Sequence, residues 1–136
     1  MLEDKKWRKI IKNKKMKYYI KALKNYANFS GRARRKEYWL FTLYNIIIYV
    51  ALVILGTMVG FLPEGGEGVF GSLYMVGVLI PALAVFVRRL HDTGRSGWWF
   101  LLNFVPFGVI VVFVFLVEDS NPDSNKFGKN PKRSVA

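Results

Sequence analysis

Three stretches of the chain, 38–62, 69–87 and 98–117, contain no charged residue and are apolar on every helical face. A helix on a soluble domain carries its apolar residues along one stripe, whereas a helix that is apolar all round must be buried or sit in lipid. At 1.5 Å of rise per residue, each stretch is long enough for a hydrocarbon core of about 30 Å. The pattern predicts an all-α integral membrane protein with three transmembrane helices. Ahead of them the pattern changes. Met16, Tyr19, Ile20, Leu23, Tyr26 and Ala27 fall at helical spacing, with Lys17, Lys21 and Lys24 on other faces. This predicts an N-terminal amphipathic helix, lying in the headgroup plane or packed on the protein's own cytoplasmic face; both placements give the same pattern.

The apolar stretches carry a few informative exceptions. Thr42, Asn45, Tyr49, Gly56 and Gly60 share one face of the first. An amide in hydrocarbon needs a partner, and Asn103 in the third stretch is the expected one for Asn45. Pro81 removes a backbone donor from the second stretch, and Pro106 and Gly108 predict a bend in the third. A fold-back at 106–108 is the alternative to a third crossing. Three crossings are favoured because a half-span hairpin needs protein cover for its freed backbone groups. They leave one discomfort: the tail cations Lys126, Lys129, Lys132 and Arg133 then lie outside.

Charge sets the orientation. Of 21 Lys and Arg residues, 14 precede residue 38, against Glu3, Asp4 and Glu37, while the 63–68 loop has no cation. Cations beside a span mark its cytoplasmic end, so the N-terminus is expected inside. Residues 1–15 read as a basic polar leader outside the domain, without the pattern of a secretory signal; 16–131 form one multi-pass domain and 132–136 a tail. Trp7, Tyr18, Tyr19 and Tyr26 among the lysines have the look of a nucleic-acid surface. Anionic headgroups account for the same residues, so lipid is the expected partner and nucleic acid is not. With no cysteine and one histidine, thiolate chemistry and a protein-only zinc site are excluded, and no cofactor is expected.

Candidate chemistry concentrates at the inner boundary. His91, Asp92 and Ser96 have the residue types of a hydrolase, but neighbours in sequence rarely face each other and no nucleophile elbow is present. No catalytic residue is assigned. Arg32, Arg34, Arg35, Arg88, Arg89, His91, Asp92 and Arg95 form the candidate headgroup or partner site, because guanidinium forks match phosphate oxygens. The two arginine-rich motifs are also expected to dock, pairing Glu37 with Arg88 or Arg89 and Asp92 with Arg34 or Arg35. Asp119, Asn121, Asp123 and Asn125 have the alternation of a calcium loop. They lack its glycine at the sixth position and glutamate at the twelfth, and read as a solvated tail. Glu64 and Glu67 lie in a glycine-rich loop that gives no desolvation, and read as solvated too.

The runs 28–39, 88–99 and 125–128, with Arg-Arg-Leu-His-Asp at their centre, resemble the YhaH/YhaI-type family of small bacterial inner-membrane proteins, a domain of unknown function. The likeness covers roughly 16–131. It implies a multi-pass inner-membrane protein without an assigned activity, substrate or cofactor. Two departures stand out: the leader before Met16, and the 119–124 segment in place of a Gly/Pro-rich stretch. Two functions fit: an accessory protein whose basic cytoplasmic face binds anionic lipid or a membrane-protein partner, including a second copy, or a transporter or channel subunit with a polar path around Asn45, Tyr49 and Asn103.

Overall fold

A computed structural model describes residues 14–59 and 69–133 of the chain. Residues 1–13 of the leader, the 60–68 segment with Gly60, Glu64 and Glu67, and the last three residues lie outside the described residues. The described residues form four α-helices and one 3-10 helix: α1 (Lys14–Lys24), α2 (Arg35–Met58), α3 (Val69–Asp92), the 3-10 helix (Gly97–Phe104) and α4 (Gly108–Val117). Two of these, α2 and α3, are 24 residues each and long and apolar enough to cross a membrane.

The pair α2 and α3 is antiparallel, as its cross-contacts show. Glu37 at the start of α2 meets Arg88 at the end of α3, Asn45 meets Tyr74, and Gly71 lies against Tyr49 and Val53. A Cβ on Gly71 would stand 3.1 Å from the Tyr49 ring, so a glycine there sets how closely the helices approach at this end. Pro81 is buried within α3, which runs through it.

The amphipathic helix α1 packs on this pair, with lysines on its free side. Ala22 is fully buried, Tyr19 stacks on Phe41 at 5.6 Å, and the Tyr26 hydroxyl donates to the Gly77 carbonyl at 3.0 Å. Lys17 and Lys24 remain exposed. After α1, the chain turns at Gly31 (φ 83°), and the Ala33 N–H donates to the Arg88 carbonyl at 2.9 Å. Residues 32 and 33 are thereby drawn across the end of α3.

That end is closed by a Schellman turn. Arg95 N–H returns to Leu90 O and Gly94 N–H to His91 O, with Gly94 at φ 80°, the left-handed geometry glycine adopts without steric cost.

The third apolar stretch is where the expectation fails. Residues 98–117 do not form one helix. The 3-10 helix starts at Ser96, whose hydroxyl accepts from Trp98 N–H, and ends at Val105, which is extended. Pro106 disfavours helical geometry at the residue before it, and Phe107 then takes the left-handed conformation at φ 64°. Next, Gly108 presses on the 3-10 helix so tightly that a Cβ would lie 1.9 Å from the Leu102 carbonyl oxygen. The chain therefore reverses, and α4 runs back along the 3-10 helix, with Trp99 edge-on to Phe115 at 5.5 Å. Both ends of this hairpin meet the end of α3: Arg95 pairs with Glu118 at 2.6 Å, and Arg89 donates to the Leu116 carbonyl at 3.1 Å. The protein cover that such a hairpin requires comes from Tyr38, Trp39 and Phe86, whose rings meet one another or the hairpin's Phe100 and Phe113.

Candidate functional site

The end of α3 holds a buried cluster of charge. Asp92 is fully buried between two arginines: Arg32 Nε donates to its Oδ1 at 3.0 Å and Arg89 Nη1 to its Oδ2 at 2.7 Å. The Ser120 hydroxyl also donates to Oδ2, at 2.5 Å. Arg32 spends every N–H it has. Its Nη1 donates to the carbonyls of Asp123 (2.8 Å) and Gly128 (3.2 Å), and its Nη2 to those of Asn121 (2.8 Å) and Asp92 (3.2 Å). With Nε on Asp92, all five guanidinium donors are used. Arg89 likewise reaches the carbonyls of Leu116 and Glu118, at the C-terminal end of α4. Charge in a low-dielectric site is tolerated where it is both paired and hydrogen-bonded, and this cluster meets both conditions.

A second buried pair lies beside it. Arg88 Nη1 donates to Glu37 Oε1 at 2.8 Å, and the Lys21 ammonium stands 2.8 Å from Oε2, tying α1 to α2 and α3 at one carboxylate. His91 is laid flat on Phe127, 3.8 Å between ring centres, with its Nδ1 at 3.1 Å from the Gly31 carbonyl. Asn125 donates to the His91 carbonyl at 2.9 Å. The tail thus wraps the end of α3 through the residues that resembled a calcium loop: Asn121 and Asn125 bind α3 backbone, while Asp119 and Asp123 face Lys132 and Arg133.

Docking of the two arginine motifs is seen, with one pairing changed. Glu37 meets Arg88 as expected, but Asp92 takes Arg32 and Arg89 rather than Arg34 or Arg35. The cause is where α2 begins. Arg34 and Arg35 ride on its first turn: Arg34 lies 5.4 Å over the Tyr18 ring of α1, and Arg35 reaches Val117 O and Asp119. Arg32, two residues earlier in extended chain, crosses α3. Arg95 stacks 3.8 Å over Phe115 and pairs with Glu118. Of the eight candidate headgroup residues, Arg32, Arg88, Arg89 and Asp92 are therefore buried and engaged inside the fold.

Asn45 and Asn103 do not meet. Asn45 donates to its own helix at Phe41 O and accepts from the Tyr74 hydroxyl at 2.5 Å, so its interhelix partner is a tyrosine of α3. Asn103 instead bonds the Phe100 carbonyl of its own turn. Asn45 and Tyr49 line an apolar groove of 520 Å³ between α2 and α3, and Asn103 is not among its walls. Sequence reasoning also missed the roles of Ser120, Asn121 and Tyr74; only the Asn-Lys-Phe-Gly run, as part of the family resemblance, hinted that the tail belonged to the fold.

Asp119, in the tail, gives a pH-dependent signature. The Lys132 hydrogen bond, then the Ser120 N–H, hold its carboxyl below the usual range. A carboxylate lowered in the folded state contributes stability that is present above its ordinary pKa and lost as pH falls through the folded value. Lys132→Met should raise the Asp119 midpoint in an NMR titration and leave the melting temperature at neutral pH nearly unchanged, because exposed pairs contribute only about 0–1 kcal/mol.

Residues 26–129 match the family model described as a protein of unknown function, DUF805. The chain belongs to this family. It is 49% identical over 118 residues to the inner membrane protein YhaH of Escherichia coli K12, covering 86% of this chain and 98% of that one. With the inner membrane protein YhaI of the same strain it shares 46% over 119 residues, 86% and 97% of the two chains. The uncharacterized protein YiiR is more distant, 35% identical over 81 residues, 57% of this chain and 50% of its own. No solved structure matches. The DUF805 chain is an inner-membrane, transmembrane protein, and the match spans both arginine motifs, the hairpin and nearly all of the tail that binds them.

Proposed function

We propose that the chain is a non-enzymatic accessory protein of the inner membrane that crosses it twice, keeps both ends in the cytoplasm and binds anionic phospholipid at its inner face. The observation that carries this reading is the return of residues 118–133 to the end of α3, where Arg32 and Arg89 hold them. Two crossings then put the tail lysines on the same side as the basic N-terminal region, removing the conflict with the positive-inside rule that a third crossing creates. The arginines at the cluster's centre are spent on the fold. Lipid contact falls to the exposed cations around them, Lys17, Lys24 and Lys36 near α1, with Lys126 and Lys129 in the tail.

The chain has no native cysteine, so single cysteines report side. In intact cells an impermeant maleimide should label Gly66→Cys and spare both Ser30→Cys and Ser124→Cys; labelling of Ser124→Cys from outside would restore the third crossing. For lipid, a cation near an anionic surface contributes about 1 kcal/mol. Replacing Lys17, Lys24 and Lys36 by Gln should therefore lower the preference for phosphatidylglycerol over phosphatidylethanolamine by up to roughly 100-fold, at about 1.4 kcal/mol per decade. The readout is tryptophan quenching by brominated lipid of each kind. An unchanged preference would remove lipid binding from this face.

A further inference from the structure

The mass of the protein is unevenly divided between the two halves of the bilayer. This follows from the two-crossing reading above together with the packing. At the end of the pair where α3 begins, Gly71 lets α2 and α3 close on Tyr49 and Val53, and α1 reaches toward it only as far as Tyr74, through Tyr19. From Tyr49 and Met75 inward the same helices are parted by the 520 Å³ groove, which runs to Tyr38 and Phe86. Three further elements join them there: α1 on Phe41 and Tyr44, and the 3-10 helix and α4 against Tyr38, Trp39 and Phe86.

The hairpin's dimensions and surface fit one leaflet. Eight residues of 3-10 helix at about 2.0 Å and ten of α-helix at about 1.5 Å each reach some 15 Å, half of a hydrocarbon core of roughly 30 Å. Its exposed side chains are lipid-compatible over the whole length. Trp98 stands at the water boundary, 78% exposed, and Phe107 at the tip is 83% exposed. Such a surface in water would be a large apolar patch, and in the inner leaflet it displaces lipid tails.

We propose that the chain is a membrane wedge: it expands the cytoplasmic leaflet more than the outer one, and so favours bilayer that is convex on its cytoplasmic side. A leaflet already stretched by curvature accommodates added volume at lower cost, which is why in-plane amphipathic helices are curvature-sensitive. Here the effect is fixed into the fold, because Arg89 and Asp92 hold the hairpin's return end and Lys21–Glu37 helps hold α1.

The test uses the full chain in giant vesicles of phosphatidylethanolamine and phosphatidylglycerol from which thin tubes are pulled outward. An impermeant dye added after reconstitution labels only molecules with the chosen cysteine outside, so Ser30→Cys reports one orientation and Gly66→Cys the other. Molecules labelled at Ser30, with the hairpin in the convex leaflet, should be several-fold denser in the tube than in the vesicle body. Those labelled at Gly66 should be depleted by a similar factor. Equal density in tube and body for both would overturn the wedge, and so would the same sign for both. If Ser30→Cys and Ser124→Cys label from the same side while the densities are flat, the two-crossing reading survives and the wedge alone falls. If they label from opposite sides, both fall together.

Discussion

Asp92→Ala should be the most damaging single substitution in the chain, lowering stability in detergent by about 3–5 kcal/mol, the range for breaking a buried ion pair from one side. The carboxylate is fully buried and is the counter-charge to two guanidiniums, so its loss leaves Arg32 Nε, Arg89 Nη1 and the Ser120 hydroxyl with no acceptor there. Against a total stability of about 5–15 kcal/mol for an ordinary domain, that loss is close to unfolding. Asp92→Asn should rescue little, since its amide turns a donor toward one of the two arginines. The comparison is Glu118→Ala, which removes a half-exposed partner of Arg95 but keeps the backbone carbonyl that Arg89 uses. Its expected cost is about 0–1 kcal/mol. Thermal melting of all three in one detergent checks the order; an Asp92→Ala protein as stable as Glu118→Ala would contradict the cluster's central place.

Gly108→Ala should open the hairpin. One added methyl would sit 1.9 Å from Leu102 O and 2.8 Å from Leu102 C, both backbone atoms, so no rotamer change relieves it. The 3-10 helix and α4 must part, and the carbonyls of Leu116 and Glu118 leave Arg89. Hydrogen bonds to a charged group contribute about 1.5–3 kcal/mol each, so losing both approaches the Asp92→Ala cost. Trypsin should then cut at Lys126 and Lys129 much faster, because the tail is no longer held on α3. The control is Gly77→Ala, where a Cβ meets nothing within 4 Å; it should melt unchanged or up to about 1 kcal/mol more stable, since alanine favours helix. Equal tryptic rates for the two variants would contradict the tight turn.

Much of this fold was legible because lipid imposes a blunt pattern. The first two apolar stretches emerged as α2 and α3, and the spacing from Met16 to Ala27 emerged in large part as α1, docked on its own protein through Tyr19 and Ala22. The third stretch was the hardest to read, its break at Pro106 and Gly108 expected but not its return, because hydropathy measures the solvent of a segment and says nothing of its direction. Residues 98–117 are lipid-facing whether they cross or return. The deciding signals were local: Pro106 bars helix at Val105, and only a glycine fits at 108. The site was half legible. Glu37–Arg88 followed from opposite charges at one boundary, but the choice of Arg32 over Arg34 for Asp92 depended on the residue at which α2 starts. The tail's role was hidden because its contribution is backbone carbonyls, which every sequence carries.

The five-donor seat of Arg32 also sets an order of events during synthesis. Its acceptors lie 60 to 96 residues later in the chain, the last at Gly128. When α2 and α3 have emerged and paired, Arg32 has Asp92 alone among these partners and lacks the carbonyls of Asn121, Asp123 and Gly128, while Arg89 waits for Leu116 and Glu118. Long-range contacts of this kind close last and at the greatest loop cost. A nascent chain stopped anywhere before residue 128 therefore leaves an incompletely satisfied guanidinium at the end of its first helix pair. The arrival of residue 128 thus completes the cluster, and a product truncated before it carries a built-in mark for the proteases that survey the membrane.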